Sequence, residues 1–167
     1  RVCETCPAVT YAMNVGNYQC THCAAGKYSG KGANGCGSCP GGTFAVKKSE
    51  VCTECPTGKY APPAQGACIS CAAGRFGNTT KLDECFSCPP GKYSLTGASV
   101  CTSCEPGKFQ DAQEQTSCDD CPKGFYAPKT SHSKCVQCAA GKFAPNNGSS
   151  ACQDCPVGTT GWADSTV

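Results

Sequence analysis

The chain predicts a small disulfide-rich fold: an elongated rod of tandem β-hairpin-like modules, with little or no helix and no single core. Three observations carry that expectation. Twenty of 167 residues are Cys, a density that belongs to disulfide scaffolds of oxidising compartments. All twenty fall into C-x-x-C pairs: Cys3/Cys6, Cys20/Cys23, Cys36/Cys39, Cys52/Cys55, Cys68/Cys71, Cys85/Cys88, Cys101/Cys104, Cys118/Cys121, Cys135/Cys138 and Cys152/Cys155. Successive pairs recur every 16 or 17 residues, which makes the repeat the architecture.

Each module is read from its second cysteine onward. Three residues on stands Gly26, Gly42, Gly58, Gly74, Gly91, Gly107, Gly124, Gly141 or Gly158; the first unit has Val9 instead. A glycine at a fixed offset implies a positive φ or a backbone approach too close for a Cβ. Five residues on stands an aromatic: Tyr11, Tyr28, Phe44, Tyr60, Phe76, Tyr93, Phe109, Tyr126 or Phe143. The last unit has Thr160 there and Trp162 two residues later. Such a ring is expected to cover the neighbouring disulfide. Variable polar loops follow, rich in turn formers such as Asn34-Gly35, Gln65-Gly66, Thr96-Gly97 and Asn147-Gly148. The expected rung is a short strand at Gly-Lys-Tyr, a turn, and a return strand into the next cysteine. No linker interrupts the chain, so residues 1–167 read as one continuous array with rungs at about 6–20, 23–36, 39–52, 55–68, 71–85, 88–101, 104–118, 121–135 and 138–152 and half-rungs at both ends. Each rung is expected to lean only on its immediate neighbours.

Connectivity does not follow from spacing alone. In one scheme each second cysteine closes its loop: Cys6–Cys20, Cys23–Cys36, Cys39–Cys52, Cys55–Cys68, Cys71–Cys85, Cys88–Cys101, Cys104–Cys118, Cys121–Cys135 and Cys138–Cys152, with Cys3 and Cys155 pairing outside the segment. A second scheme crosses over in blocks of four and predicts an alternation that the uniform motif lacks. A third closes each C-x-x-C into a small, reducible bridge. A loop of this size contributes about 3 kcal/mol. Burial of one aromatic per rung adds about 1.5–3 kcal/mol, so covalent links are expected to dominate. From Cys155 through Val167 and on from Arg1 to Cys3, a join would enclose 14 residues, close to an internal loop. That gap fits one period of a longer array or a head-to-tail fibre.

Composition narrows the chemistry. A net charge of +2 excludes nucleic-acid binding by bulk charge. No apolar run approaches the eighteen or so residues of a membrane span. Paired C-x-x-C motifs match zinc-ribbon spacing, but the Gly-aromatic unit follows nearly every pair, where a ribbon has two unlike halves. No cofactor or metal is expected. His22 and His132 lie in different repeats, and the acid pairs Asp83-Glu84 and Asp119-Asp120 read as solvated turns, so no enzyme is expected. Sequons at Asn78-Thr79-Thr80 and Asn147-Gly148-Ser149 fall in variable loops and are expected to carry glycans. Basic residues follow the repeat glycine at Lys27, Lys59, Arg75, Lys92, Lys108 and Lys142. They form either a stripe for anionic polysaccharide or a solvated edge with stems over the aromatics.

The motif Cys88-Pro89-Pro90-Gly91-Lys92-Tyr93, followed by a polar loop and Cys101-Thr102-Ser103-Cys104, resembles the ephrin-receptor-like cysteine-rich repeats of long extracellular proteins. It is also similar to the smallest single-disulfide module of tumour necrosis factor receptors. The resemblance runs from Cys3 to Trp162. It implies small β modules stacked end to end with loop-closing bridges. The expected function is an extracellular structural repeat protein: a glycosylated stalk, surface fibre or filament, with neighbouring copies or repeats as partners. The alternative is the ectodomain of a receptor or adhesion protein that binds a ligand along the rod.

Overall fold

The structure is a computed structural model and describes residues 3–14, 16 and 19–160. Trp162 and the join from Val167 to Arg1 lie outside the described residues. Nine disulfides occur: Cys6–Cys20, Cys23–Cys36, Cys39–Cys52, Cys55–Cys68, Cys71–Cys85, Cys88–Cys101, Cys104–Cys118, Cys121–Cys135 and Cys138–Cys152. Their Cα atoms are 5.7–5.8 Å apart, within the range a disulfide spans. Cys3 and Cys155 are unbridged, the first exposed and the second half-buried.

Each rung carries a two-residue strand at its Gly-x-aromatic and pairs it antiparallel with another two-residue strand. Lys27–Tyr28 pairs with Gly37–Ser38, Lys59–Tyr60 with Ile69–Ser70, and Lys108–Phe109 with Asp119–Asp120. Among the described residues there are nine two-stranded sheets and no helix. The return strand does not end at the next cysteine. It lies between the two cysteines of the next pair, because the loop-closing bridge brings the first cysteine alongside and the pairing runs on past it. A turn precedes the strand: in the third rung the Thr43 N–H donates to the Pro40 carbonyl, with Gly42 at a φ of +79°. A positive φ at that third turn position is the type II pattern, and it accounts for the glycine. Val9 adopts φ +67° at the equivalent site, so the first unit keeps the turn without the residue best suited to it.

The chain divides into two compact units, one of Arg1–Cys71, Gly77–Phe86 and Gly97–Ser99, the other of Ala72–Phe76, Ser87–Thr96 and Val100–Val167. In the first unit, main-chain hydrogen bonds tie each rung to the next in three ways. The Gly26 N–H donates to the Ala45 carbonyl at 2.7 Å, and Gly42 to Ala61 likewise. The Ala45 N–H donates to the Gln65 carbonyl at 3.1 Å, and Ala61 to Leu82 at 2.9 Å. The third tie runs backwards: the N–H of a loop residue with positive φ donates to the second cysteine of the previous rung, as in Ala64 to Cys39 at 2.8 Å and Lys81 to Cys55 at 2.9 Å. The second unit repeats the set, with Gly91 to Gln110, Gln110 to His132, and Ser131 to Cys104.

Burial follows this ladder. Among the described residues the buried apolar side chains are all cysteines and alanines, from Cys23 and Cys55 to Ala61 and Ala127. The second cysteine of a pair and the residue after the aromatic fill the interior: Ser29, Ala45, Ala61, Gly77, Ser94, Gln110, Ala127 and Ala144 are buried. The aromatics are only half-buried, and Tyr28 is 37% exposed. The rings thus supply only part of the apolar burial. The position after the ring is more deeply buried than the ring itself, and mostly small side chains fill it, with Gln110 the exception.

Contact also reaches the next rung but one. A Cβ built on Gly26 would stand 1.9 Å from the Ala64 carbonyl oxygen, and one on Gly42 would stand 2.1 Å from that of Lys81. In the second unit, Gly74 faces Glu114 at 2.0 Å and Gly91 faces Ser131 at 2.2 Å in the same sense. The expectation of nearest-neighbour support alone is overturned. The loop that caps one rung packs against the turn glycine two rungs back.

Candidate functional site

The repeated turn glycine, the loop-closing bridge and the left-handed loop residue form one geometric unit. Non-glycine residues hold the left-handed position at Lys48, Ala64, Lys81, Glu114 and Ser131, with φ between 59° and 66°. That conformation costs roughly 1–2 kcal/mol for an L-residue. It is held because the N–H satisfies a buried cysteine carbonyl and the carbonyl meets a glycine two rungs away. Sequence reasoning missed this position. Its residue type varies, and only Gly32, Gly97 and Gly148 signal it. It also missed the buried residue after the aromatic, although Ala, Ser or Gly stands there in every rung except at Gln110, which was a usable signal.

The basic residues after the turn glycine do not form a uniform stripe. Lys108 Nζ lies 2.8 Å from Asp120 Oδ1 and Lys142 Nζ lies 2.6 Å from Asp154 Oδ1, each across its own hairpin. The hydrogen bond to Asp120, helped by its charge, raises the Lys108 ammonium above its ordinary pKa of 10.5, and Asp154 does the same for Lys142. Arg75 Nε lies 3.3 Å from Glu114 Oε1, and Ser87 Oγ donates to the same carboxylate while accepting from Arg75. Lys27, Lys59 and Lys92 form no ion pair among the described residues.

One rung departs from the rest. Between 105 and 120 lie Glu105, Asp111, Glu114, Asp119 and Asp120, five of the chain's twelve acidic residues. Glu105 occupies a position that is otherwise Pro or Ala. Beside it, within the second unit, lies an open cleft of about 270 Å³ lined by Tyr93, Ser103, Glu105, Lys108, Ser117 and Cys118. The cleft is lined by a tyrosine, two serines and one charge of each sign, groups that can hydrogen-bond a ligand. His22 is exposed at a strand and His132 is half-buried in a loop, in different rungs; Asp83-Glu84 and Asp119-Asp120 are exposed. No group of three or more His, Cys, Asp or Glu able to hold a metal occurs among the described residues. Of the sequon asparagines, Asn78 is exposed; Asn147 is exposed too, and its Oδ1 accepts the Lys123 N–H at 3.2 Å.

The family model described as tyrosine-protein kinase ephrin type A/B receptor-like matches residues 91–132 and 124–165, two overlapping tandem segments. Residues 91–165 carry ephrin-receptor-like cysteine-rich repeats. Through the remaining residues from Cys6 to Tyr93 the same 16- or 17-residue disulfide module recurs. No curated protein matches the chain. The repeats and the disulfide density point to an extracellular segment, of receptor type or structural. No helix among the described residues is long and apolar enough to cross a membrane.

Proposed function

We propose that the chain is an extracellular structural spacer, a stretch of stalk, surface fibre or filament whose task is reach and resistance to proteolysis. One observation supports this above others. Within each unit the same main-chain ties recur from rung to rung, and the loops after the aromatics, where the sequence varies freely, are largely exposed. A binding module concentrates its variation at one place; a spacer spreads it evenly. Under this reading Cys3 and Cys155 bond to cysteines of neighbouring repeats or copies, and Asn78 and Asn147 carry glycans. The free lysines Lys27, Lys59 and Lys92 are the remaining candidates for contact with anionic polysaccharide.

Electron microscopy of native material tests the reading. Uniform fibres or stalks support it, and discrete monomers with a saturable protein ligand overturn it. A non-reducing peptide map locates the partners of Cys3 and Cys155 and the sugars. The second reading, a receptor or adhesion ectodomain, draws on the cleft at Tyr93 and Glu105, the one place where a rung departs in chemistry from its fellows.

A further inference from the structure

We propose that Asn34 is a site of spontaneous succinimide formation, and that the same ladder protects the chain's other Asn-Gly pair, Asn147-Gly148. The chemistry is intramolecular and needs only solvent base. The backbone nitrogen of the following glycine, once deprotonated, attacks the asparagine Cγ. The N–Cγ bond forms, the Cγ–Nδ2 bond breaks, and Nδ2 leaves as ammonia. Water then opens the ring at either carbonyl, leaving aspartate or isoaspartate. Glycine favours the step because no Cβ obstructs the attack.

Two features decide whether an Asn-Gly pair reacts: freedom of the glycine N–H and freedom of the asparagine side chain. At Asn147-Gly148 both are held. The Gly148 N–H donates to the Cys121 carbonyl at 2.8 Å, φ is +74°, and Asn147 Oδ1 accepts the Lys123 N–H. At Asn34-Gly35 neither is held. Asn34 is exposed, it makes no hydrogen bond among the described residues, and neither does the Gly35 N–H. A Cβ built on Gly35 meets nothing within 4 Å. The residues just before are fixed: the Gly32 N–H donates to Cys6, and Ala33 accepts from Ala12 at 3.2 Å. The pair is thus a loose step in a tied rung, just ahead of Cys36. Isoaspartate there would lengthen the backbone inside the Cys23–Cys36 loop and add a negative charge. The lock at Asn147 keeps intact an asparagine that also belongs to a sequon.

The test is a peptide map after incubating the oxidised chain at mildly alkaline pH, read by mass and by isoaspartate detection. Ser149→Ala is used as the background, so that no glycan masks Asn147. Conversion at Asn147 is expected to be at least about tenfold slower than at Asn34, the factor that two hydrogen bonds of ordinary strength impose on local opening. Gly35→Ala should suppress reaction at Asn34. Lys123→Pro removes one donor to Asn147 and should speed its conversion; Pro90 and Pro106 already occupy that position in other rungs, so the variant folds as they do. In the reduced, alkylated chain the two rates should converge. Equal rates in the oxidised protein, or a faster Asn147, would overturn the proposal.

Discussion

Gly74 holds a φ of +82°, and a Cβ built on it would stand 2.0 Å from the Glu114 carbonyl oxygen. Gly141 holds a φ of +77° with nothing within 4 Å. Both pay the left-handed cost when mutated, about 1–2 kcal/mol. Only Gly74 adds the overpacking cost, about 1–3 kcal/mol more. Gly74→Ala should therefore lower the denaturation midpoint clearly further than Gly141→Ala. Equal losses would mean the contact two rungs away contributes nothing. The lysine pairs make a second prediction at this scale. A raised lysine pKa stabilises the fold fully below the ordinary 10.5, and that contribution is lost as pH rises through the raised value. Asp120→Asn should move the Lys108 titration, followed by NMR at its side chain, down towards the ordinary value. The pair is exposed, so its effect on stability at neutral pH is small.

A rung is held by its bridge and by its three main-chain ties, and these predict how damage spreads. Replacing Cys104 and Cys118 together by Ser should cost about 2–4 kcal/mol. Amide exchange should quicken at Ser131, whose N–H donates to Cys104, and at Gln110, whose N–H donates to His132. Cys155, bonded to Gly141, should exchange as before. Loosening confined to residues 104–118 would show that the rungs are independent. At this scale the sequence was only partly informative. The Gly-x-aromatic unit announced a hairpin and a positive φ, because both demands select residue types. The left-handed loop residue was invisible, because its role is carried by its N–H and carbonyl, which Lys48 and Ser131 supply as well as Gly148 does. The aromatic misled: a large ring suggests a buried one, yet the deeper burial falls on the residue after it, such as Ala61, Ser94 or Gln110.

Across the molecule, fold class was legible because cysteine spacing is a constraint on backbone geometry. Reach across two rungs was not, because it depends on how far each rung turns relative to the last, which no residue type encodes. The buried set has a plain consequence for stability. It holds no fully buried Leu, Ile, Val or Phe among the described residues, only cysteine, alanine and a few small or polar side chains. Full reduction should leave too little apolar burial to offset chain entropy. The reduced chain should lose its near-native protease resistance and amide protection together, while the oxidised chain keeps both. Retained protection after complete reduction would show that something other than sulfur holds the fold.

The ties between rungs join peptide groups, and peptide groups are common to every residue. Substitutions on the outer loops can therefore accumulate with little mechanical consequence, so long as the half-cystines and turn glycines stay in place. A lineage could recolour almost the entire exterior of such a molecule, altering its charge, sugars or antigenic face, and inherit the same scaffold underneath.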